Sequence, residues 1–477
     1  MENILNHSIP YHKHFEEMTR IPHGSFNEKP YSDYLVNWAK EHNLKYVQDD
    51  MGNVVIYKPA SPGREDRPPL LLQGHMDMVC VKTPDSTHDF TSEPLQLYIE
   101  DGWLKARNTS LGGDDGVGCA YMLAILEDET LPHPPLECAF TVQEEIGCNG
   151  AANLKAEYFS AKRMIGLDDV GGGTSYVTTA GSQLCHLSRT ATWEEGSFPA
   201  YSLNISGLLS GHSGVDIDKE RGSAVKLAAH TLFGLMKRGE VRLADVDIGD
   251  ANNVIPGHGS IVFTSTLGRD DVLAAVETWQ QTFLQQLKWS DPGLKMEVTE
   301  CTVGRVASAE DSADIISFAH FLPDGIFHKS MRFEGLTTAS SNLGVWKVDG
   351  DTFYFESHAR SSLESYLDMI EEEHQLLCER FHIQRRETGR VAGFDYIENS
   401  PIRNAVATAF HEVTGRQLEE LFVHGGIEAG FLTRLIPNLD VVTIGPLVLD
   451  EHTVNERLKL SSFDEIWETL IKTLAAL

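Results

Sequence analysis

The spacing of apolar and polar positions changes rhythm twice along the chain. Up to about residue 184, short apolar runs alternate with stretches of helical period. Residues 31–42 have the three-to-four spacing of an amphipathic helix, and 54–57 read as a strand. Residues 70–79 form a nearly continuous apolar run, as expected of a central strand covered on both faces. A Gly-Gly-Asp-Asp loop leads into a helical pattern at 116–129, and 136–144 and 164–167 read as further strands. This alternation predicts an α/β domain around a mostly parallel sheet.

From about 185 to 389 the rhythm differs. Strands at 201–205, 260–264, 295–298 and 352–356 alternate with long amphipathic helices near 221–236, 270–287 and 363–380. Two helices against an antiparallel sheet, an α+β insert, is the expected outcome. After 390 the first rhythm returns, with a helix at 401–414, a strand at 439–444 and a terminal helix from Ser462. The pattern predicts one α/β catalytic domain (1–184 and 390–477) interrupted by a smaller domain (185–389).

Length and charge narrow the function classes. A chain of 477 residues exceeds what one hydrophobic core usually supports, so two domains are expected. The formal net charge of −31 repels phosphate backbones and anionic membranes, which argues against nucleic-acid and membrane partners. No run of about 18 apolar residues offers a membrane span. Seven dispersed cysteines, with no C-x-x-C pair, indicate a reducing compartment and no thiolate metal site. The start Met-Glu-Asn lacks a signal-peptide pattern, so a cytosolic protein is expected.

Five ligand-type segments lie at strand ends or in glycine-rich loops. His75 and Asp77, two apart on an expected strand, would share one face with Cα atoms about 6.6 Å apart, which suits a metal-bound imidazole steadied by a carboxylate. Asp114 lies in the loop before the 116–129 helix. Glu144 and Glu145 end the 136–144 strand, Asp168 follows 164–167, and His452 follows the apolar run 441–446. In an open parallel sheet, function collects beyond the carboxyl ends of the strands. Two imidazoles and three carboxylates without thiolate suit a pair of divalent ions such as Zn²⁺ or Mn²⁺, with one carboxylate bridging. Neighbouring side chains leave a strand in opposite directions, so one of Glu144 and Glu145 can ligate while the other faces a nucleophilic water. Singly, each segment is more often a turn or a solvated strand end; their joint occurrence points to a site.

The ordered set resembles the co-catalytic metallopeptidase family of acetylornithine deacetylase, succinyl-diaminopimelate desuccinylase, carboxypeptidase G and the carnosinases, and most closely its bacterial aminoacyl-histidine dipeptidases. The segments that carry the resemblance are Gly74-His75-Met76-Asp77, the 111–118 loop, Glu144-Glu145, Gly211-His212-Ser213-Gly214, Asn253-Val254-Ile255-Pro256 and His452-Thr453-Val454-Asn455-Glu456. The resemblance implies that His75, Asp114 and Asp168 hold one ion, and Asp114, Glu145 and His452 the other. It implies Glu144 as general base, Asp77 as the partner of His75, and a cis peptide bond after Asp114. The insert would be a lid and dimerisation domain. His212 and Asn253 would polarise the scissile carbonyl, Arg360 would bind the substrate carboxylate, and Gly425 would line the same end of the pocket with exposed backbone.

The expectation that follows is a cytosolic homodimeric dipeptidase with two divalent ions, Zn²⁺ first and Mn²⁺ or Co²⁺ as alternatives. It would hydrolyse small Xaa-His, carnosine-like substrates. A tripeptidase or an N-acyl amino acid deacylase keeps the same chemistry, and a non-catalytic metal- or peptide-binding homologue is the alternative outside catalysis. The chain departs from the dipeptidase pattern at Cys80, at Asp115, at the glycine run 171–173 after Asp169, and at Thr453-Val454. None of these replaces an implied ligand; they bear on substrate preference.

Overall fold

The computed structural model describes residues 3–477. The chain divides into two units. One comprises the chain up to Thr178 with Phe394–Phe422 and Ile427–Leu477; the other comprises Thr179–Gly393 with Val423–Gly426. These boundaries fall outside the expected 184/185 and 389/390. The reason is strand pairing: Gly181–Thr190 and Gln384–Val391 belong to the second unit's sheet along their lengths, so that unit begins and ends with them.

The first unit is built on a six-stranded sheet in the order Lys45–Gln48, Val54–Lys58, Leu136–Thr141, Leu70–His75, Arg163–Gly166 and Asp440–Thr443. From Leu136–Thr141 onward the four strands run parallel; the first two are antiparallel. The apolar runs are continuous because both faces are covered. Leu70, Leu72, Cys138, Phe140, Ile165 and Val442 enter one core with the helix Gly113–Glu127. Leu71, Ala139, Met164 and Val441 enter another with Leu432 and Ile436. The Gly113–Glu127 helix is apolar all round and buried from Gly116 to Leu126, as suits a helix inside a core.

Parallel strands put their carboxyl ends on one edge. His75 pairs in register with Thr141, and Gln73 with Gly166, so whatever follows these residues emerges together. The strands stop sooner than the apolar pattern predicts, at His75, Thr141 and Gly166. Asp77, Glu144, Glu145 and Asp168 therefore lie in loops beyond the sheet, where side-chain direction is not set by a strand's alternation.

The second unit carries a nine-stranded sheet. Eight strands follow the order Lys295–Ala307, Trp193–Ser206, Gly259–Ser265, Val241–Ile248, Thr337–Asp349, Thr352–Ser361, Gly181–Thr190 and Gln384–Val391, and Gly325–Lys329 pairs with Thr337–Asp349. Neighbours are antiparallel throughout. Its long helices are Ala224–Met236, Arg269–Gln286, Ala309–Phe321 and Glu364–Arg380. The expected pair of helices is thus an undercount. Ala309–Phe321 escapes the sequence pattern because its first half is acidic (Glu310, Asp311, Asp314) and its buried Ile315, Ile316 and Phe318 are confined to the second half. Among the described residues no helix is long and apolar enough to cross a membrane.

Candidate metal centre

Beyond the carboxyl edge of the first unit's sheet, six ligand-type side chains converge. His75, Asp114 and Asp168 bring one ligand atom each within 4.8 Å of one another; so do Asp114, Glu145 and His452, and likewise His75, Glu144 and Glu145. Asp114 joins the first two groups through separate oxygens. Its Oδ1 lies 3.0 Å from His75 Nε2 and its Oδ2 3.4 Å from His452 Nε2. Glu145 Oε2 is 2.9 Å from the same His452 nitrogen.

Local backbone chemistry aims these groups. Gly112 sits at φ +69°, a left-handed conformation that glycine takes without cost. The Asp114–Asp115 peptide is cis, and both residues depart from helical dihedrals before the regular helix begins. Glu456 fixes the loop ahead of Asp114. Its Oε2 accepts the Leu111 and Gly112 N–H groups at 2.7 and 3.1 Å, and its Oε1 accepts the Gly113 N–H at 2.7 Å. Because Glu456 follows His452 by four residues, one carboxylate couples the approach of both. The sequence showed Glu456 only as the end of a motif; its role depends on a contact spanning 345 residues.

Asp77 meets His75 through two groups and also holds a second partner. His75 Nδ1 lies 3.0 Å from the Asp77 backbone carbonyl and 3.6 Å from its carboxylate, so the carbonyl is the hydrogen-bond acceptor. The carboxylate also accepts the Glu144 N–H at 3.0 Å, the Glu145 N–H at 3.4 Å and the Ser25 hydroxyl at 2.8 Å. The two glutamates accordingly follow a left-handed Gln143 at φ +55°, and their carboxylates stay within 4.8 Å of one another instead of leaving opposite faces of a strand.

The donor set fits divalent cations. Burial, together with repulsion from Asp114, raises the pKa of Asp168; burial, with Glu145 and Asp114 nearby, raises that of Glu144. Contact with Asp114 and Glu145 pushes His452 up to about 10. For His75, burial favours the neutral ring, but contact with Asp114 and Asp77 outweighs it and raises the pKa. Four carboxylates crowded around two imidazoles thus recruit protons as counter-charge. Divalent ions supply that charge and leave the imidazoles as neutral donors, with proton release on binding. Glu145 Oε1 is buried without a hydrogen-bond partner, an acceptor in need of a cation.

A further carboxyl group, Glu428, had no role assigned from the sequence, because only its position in the fold makes it notable. Its Oε2 accepts from Gln73 Nε2 at 2.6 Å and from Thr141 Oγ1 at 2.5 Å, on the two strands that lead to His75 and Glu144. Burial, reinforced by the Glu144 charge, pushes its pKa up to about 8.

The remaining expected residues lie in the second unit. His212 Nδ1 accepts the Gly214 and Val215 N–H groups at 3.2 Å, which leaves the ring proton on Nε2 as a donor. Burial and the Arg360 charge keep the ring neutral. The Arg360 guanidinium is buried, its Nε 3.4 Å from Ser213 Oγ, and among the described residues it has no carboxylate partner; burial pushes its pKa down to about 10. His358 and His424 are each pushed to about 3 by burial and by the Arg360 charge. Asn253 is exposed, with its carbonyl accepting the Ser213 N–H at 2.8 Å. His424 and Gly425, expected in the catalytic domain, belong to the second unit: Ala180 N–H is shared by the Val423 and Gly425 carbonyls, and Ser340 Oγ meets His424 Nε2 at 2.7 Å.

Residues 71–476 match the model of peptidase family M20/M25/M40. The chain is 31% identical over 466 residues to the cytosol non-specific dipeptidase of Escherichia coli K12, covering 96% of each chain. It superposes with a TM-score of 0.92 on the aminoacylhistidine dipeptidase of Vibrio alginolyticus, at 29% identity, covering 98% of this chain and 96% of that one. A tripeptidase from Staphylococcus aureus shares the fold at a TM-score of 0.55 and 16% identity, with 99% of both chains covered.

Proposed function

The chain belongs to peptidase family M20/M25/M40, and from that membership we propose that it is a two-metal dipeptidase whose substrates include dipeptides of the Xaa-His type. It is a metal-dependent hydrolase of peptide bonds. The observation that carries the two-metal reading is Asp114, whose two carboxylate oxygens face two different imidazoles.

In this reading His75, Asp114 and Asp168 hold one ion, and Asp114, Glu145 and His452 hold the other. When bound, the ions supply the positive charge that polarises a carbonyl and makes water nucleophilic near neutral pH. Glu144 takes the proton of that water on its carboxylate and returns it to the leaving amine. Asp77 keeps the Glu144 backbone in place. His212, through its Nε2–H, donates to the scissile carbonyl oxygen, aided by Asn253. Arg360 pairs with the C-terminal carboxylate, and Gly425 offers backbone beside it. A buried guanidinium with no carboxylate partner among the described residues favours substrates that carry a free carboxylate.

Zinc as the native ion, a homodimer and a cytosolic location complete the reading. An oxygen- and nitrogen-only donor set supports the first, and the E. coli relative's name supports the last. The test is to strip the protein of metal, reload it with Zn²⁺, Mn²⁺ or Co²⁺, and assay carnosine, other dipeptides, tripeptides and N-acyl amino acids side by side. Dipeptides should be cleaved fastest. Faster cleavage of tripeptides or acyl amino acids would refute the substrate assignment, and inactivity with every ion would refute the catalytic one.

A further inference from the structure

Glu144 is held from a second direction. Its Oε1 lies 3.4 Å from the Sγ of Cys148, which is the hydrogen-bond donor to this carboxylate among the described residues. The contact follows from a turn that closes on itself. The Gly147 and Cys148 N–H groups both donate to the Glu144 carbonyl at 2.9 Å, Asn149 N–H donates to the Gln143 carbonyl, and Gly150 N–H donates to the Val142 carbonyl.

Within this turn Cys148 is 6% exposed and has φ +56°, a left-handed conformation that favours glycine. A glycine there would relieve the backbone but leave the Glu144 carboxylate without its donor. Gly150, two residues on, leaves no room for a side chain: an added Cβ would meet the Val142 carbonyl at 2.2 Å. The turn is therefore pinned on both sides of Cys148, and its thiol is confined against Glu144.

We propose that Cys148 is a positioning residue for the general base: its S–H donates to Glu144 Oε1 and fixes the carboxylate rotamer, leaving Oε2 to take and return the proton. The inference rests on Glu144 being the base. Cys148 touches no reacting atom, forms no covalent bond and keeps its proton throughout. A sulfur donor is long and weak, so the contribution is modest and should appear in turnover rather than in binding.

The test compares Cys148→Ala, Cys148→Ser and Glu144→Gln in the metal-loaded full-length enzyme, using a dipeptide the wild type cleaves. Cys148→Ala should lower kcat by roughly 3- to 10-fold with KM and metal content unchanged, as for loss of one weak hydrogen bond. Cys148→Ser, which keeps an O–H donor, should recover most of that loss. Unchanged kcat in Cys148→Ala, a loss expressed in KM, or a serine variant as impaired as alanine overturns the proposal. If the alanine variant does not fold, the serine variant decides alone: it must keep at least half of wild-type kcat. Turnover retained in Glu144→Gln sinks the general-base reading itself. An inactive Glu144→Gln alongside indifferent Cys148 variants sinks only the role of Cys148.

Discussion

The Asp77 carboxylate grips the backbone of Glu144, accepting its N–H at 3.0 Å, while the carbonyl of the same Asp77 meets the His75 imidazole. One residue thus ties the proposed ligand His75 to the proposed base Glu144 through two different groups. Asp77→Asn keeps the carbonyl contact and weakens the grip on Glu144, because an amide is a poorer acceptor than a carboxylate. Activity should fall by roughly 10- to 100-fold, the usual effect of losing such a supporting contact. Metal affinity should fall less. Steady-state kinetics and metal titration on the same preparation check the split.

The two groups proposed to hold the ions differ in exposure. His75 is buried, whereas the His452 side chain is 46% exposed. Gradual chelation should remove the ion held with His452 before the one held with His75. Correspondingly, His452→Ala should retain close to one ion per chain, and His75→Ala should lose both or unfold. Metal analysis after exhaustive dialysis gives the answer; equal loss from both variants contradicts it.

Glu456 accepts three consecutive backbone N–H groups ahead of Asp114. Replacing it with Ala leaves those buried donors without an acceptor. A loss of about 1–3 kcal/mol is expected from unsatisfied buried groups. It should be read in urea denaturation of the metal-free protein, together with weaker metal binding. A variant as stable as wild type would show that the loop is held by something else.

Arg360 is a buried cation of the second unit with no carboxylate partner among the described residues. Arg360→Ala should lower kcat/KM for dipeptides by roughly 10- to 100-fold, as for loss of a charge-assisted hydrogen bond. For the same dipeptide with an amidated C-terminus, wild type and variant should differ little. Arg360→Lys should recover only part of the loss, since a lysine cannot pair with a carboxylate in the bidentate way.

Glu428 makes the stability of the first unit pH-dependent. In the unfolded chain its carboxyl group ionises near 4.5; in the fold it does so near 8. Between these values the folded state holds a proton that the unfolded state has released, so this group's contribution to stability declines as pH rises through that window. Glu428→Gln keeps an acceptor for Thr141 and removes the titration. Its unfolding midpoint, followed from pH 5 to pH 8, should fall less with pH than that of wild type. Parallel profiles would rule the role out.

The apolar rhythm by itself determined the α/β layering, the central strand of the first unit and the interrupting antiparallel domain, because burial on both faces demands continuous apolar runs. The same reading found His75, Asp114, Glu144, Glu145, Asp168 and His452, since strand ends and glycine loops mark where a parallel sheet opens. Only the tertiary structure decided how these residues are held. Asp77 stays beside the His75 imidazole and also clamps the Glu144 backbone, because the strand ends at His75 and direction beyond it is set by loops. Glu456, Glu428 and Cys148 gained their places from folded contacts, two of them across hundreds of residues. His424 and Gly425 joined the second unit because hydrogen bonds to Ala180 and Ser340 outweigh their position in the chain. Local spacing encodes which face a side chain takes; which distant group meets it is fixed only when the backbone closes.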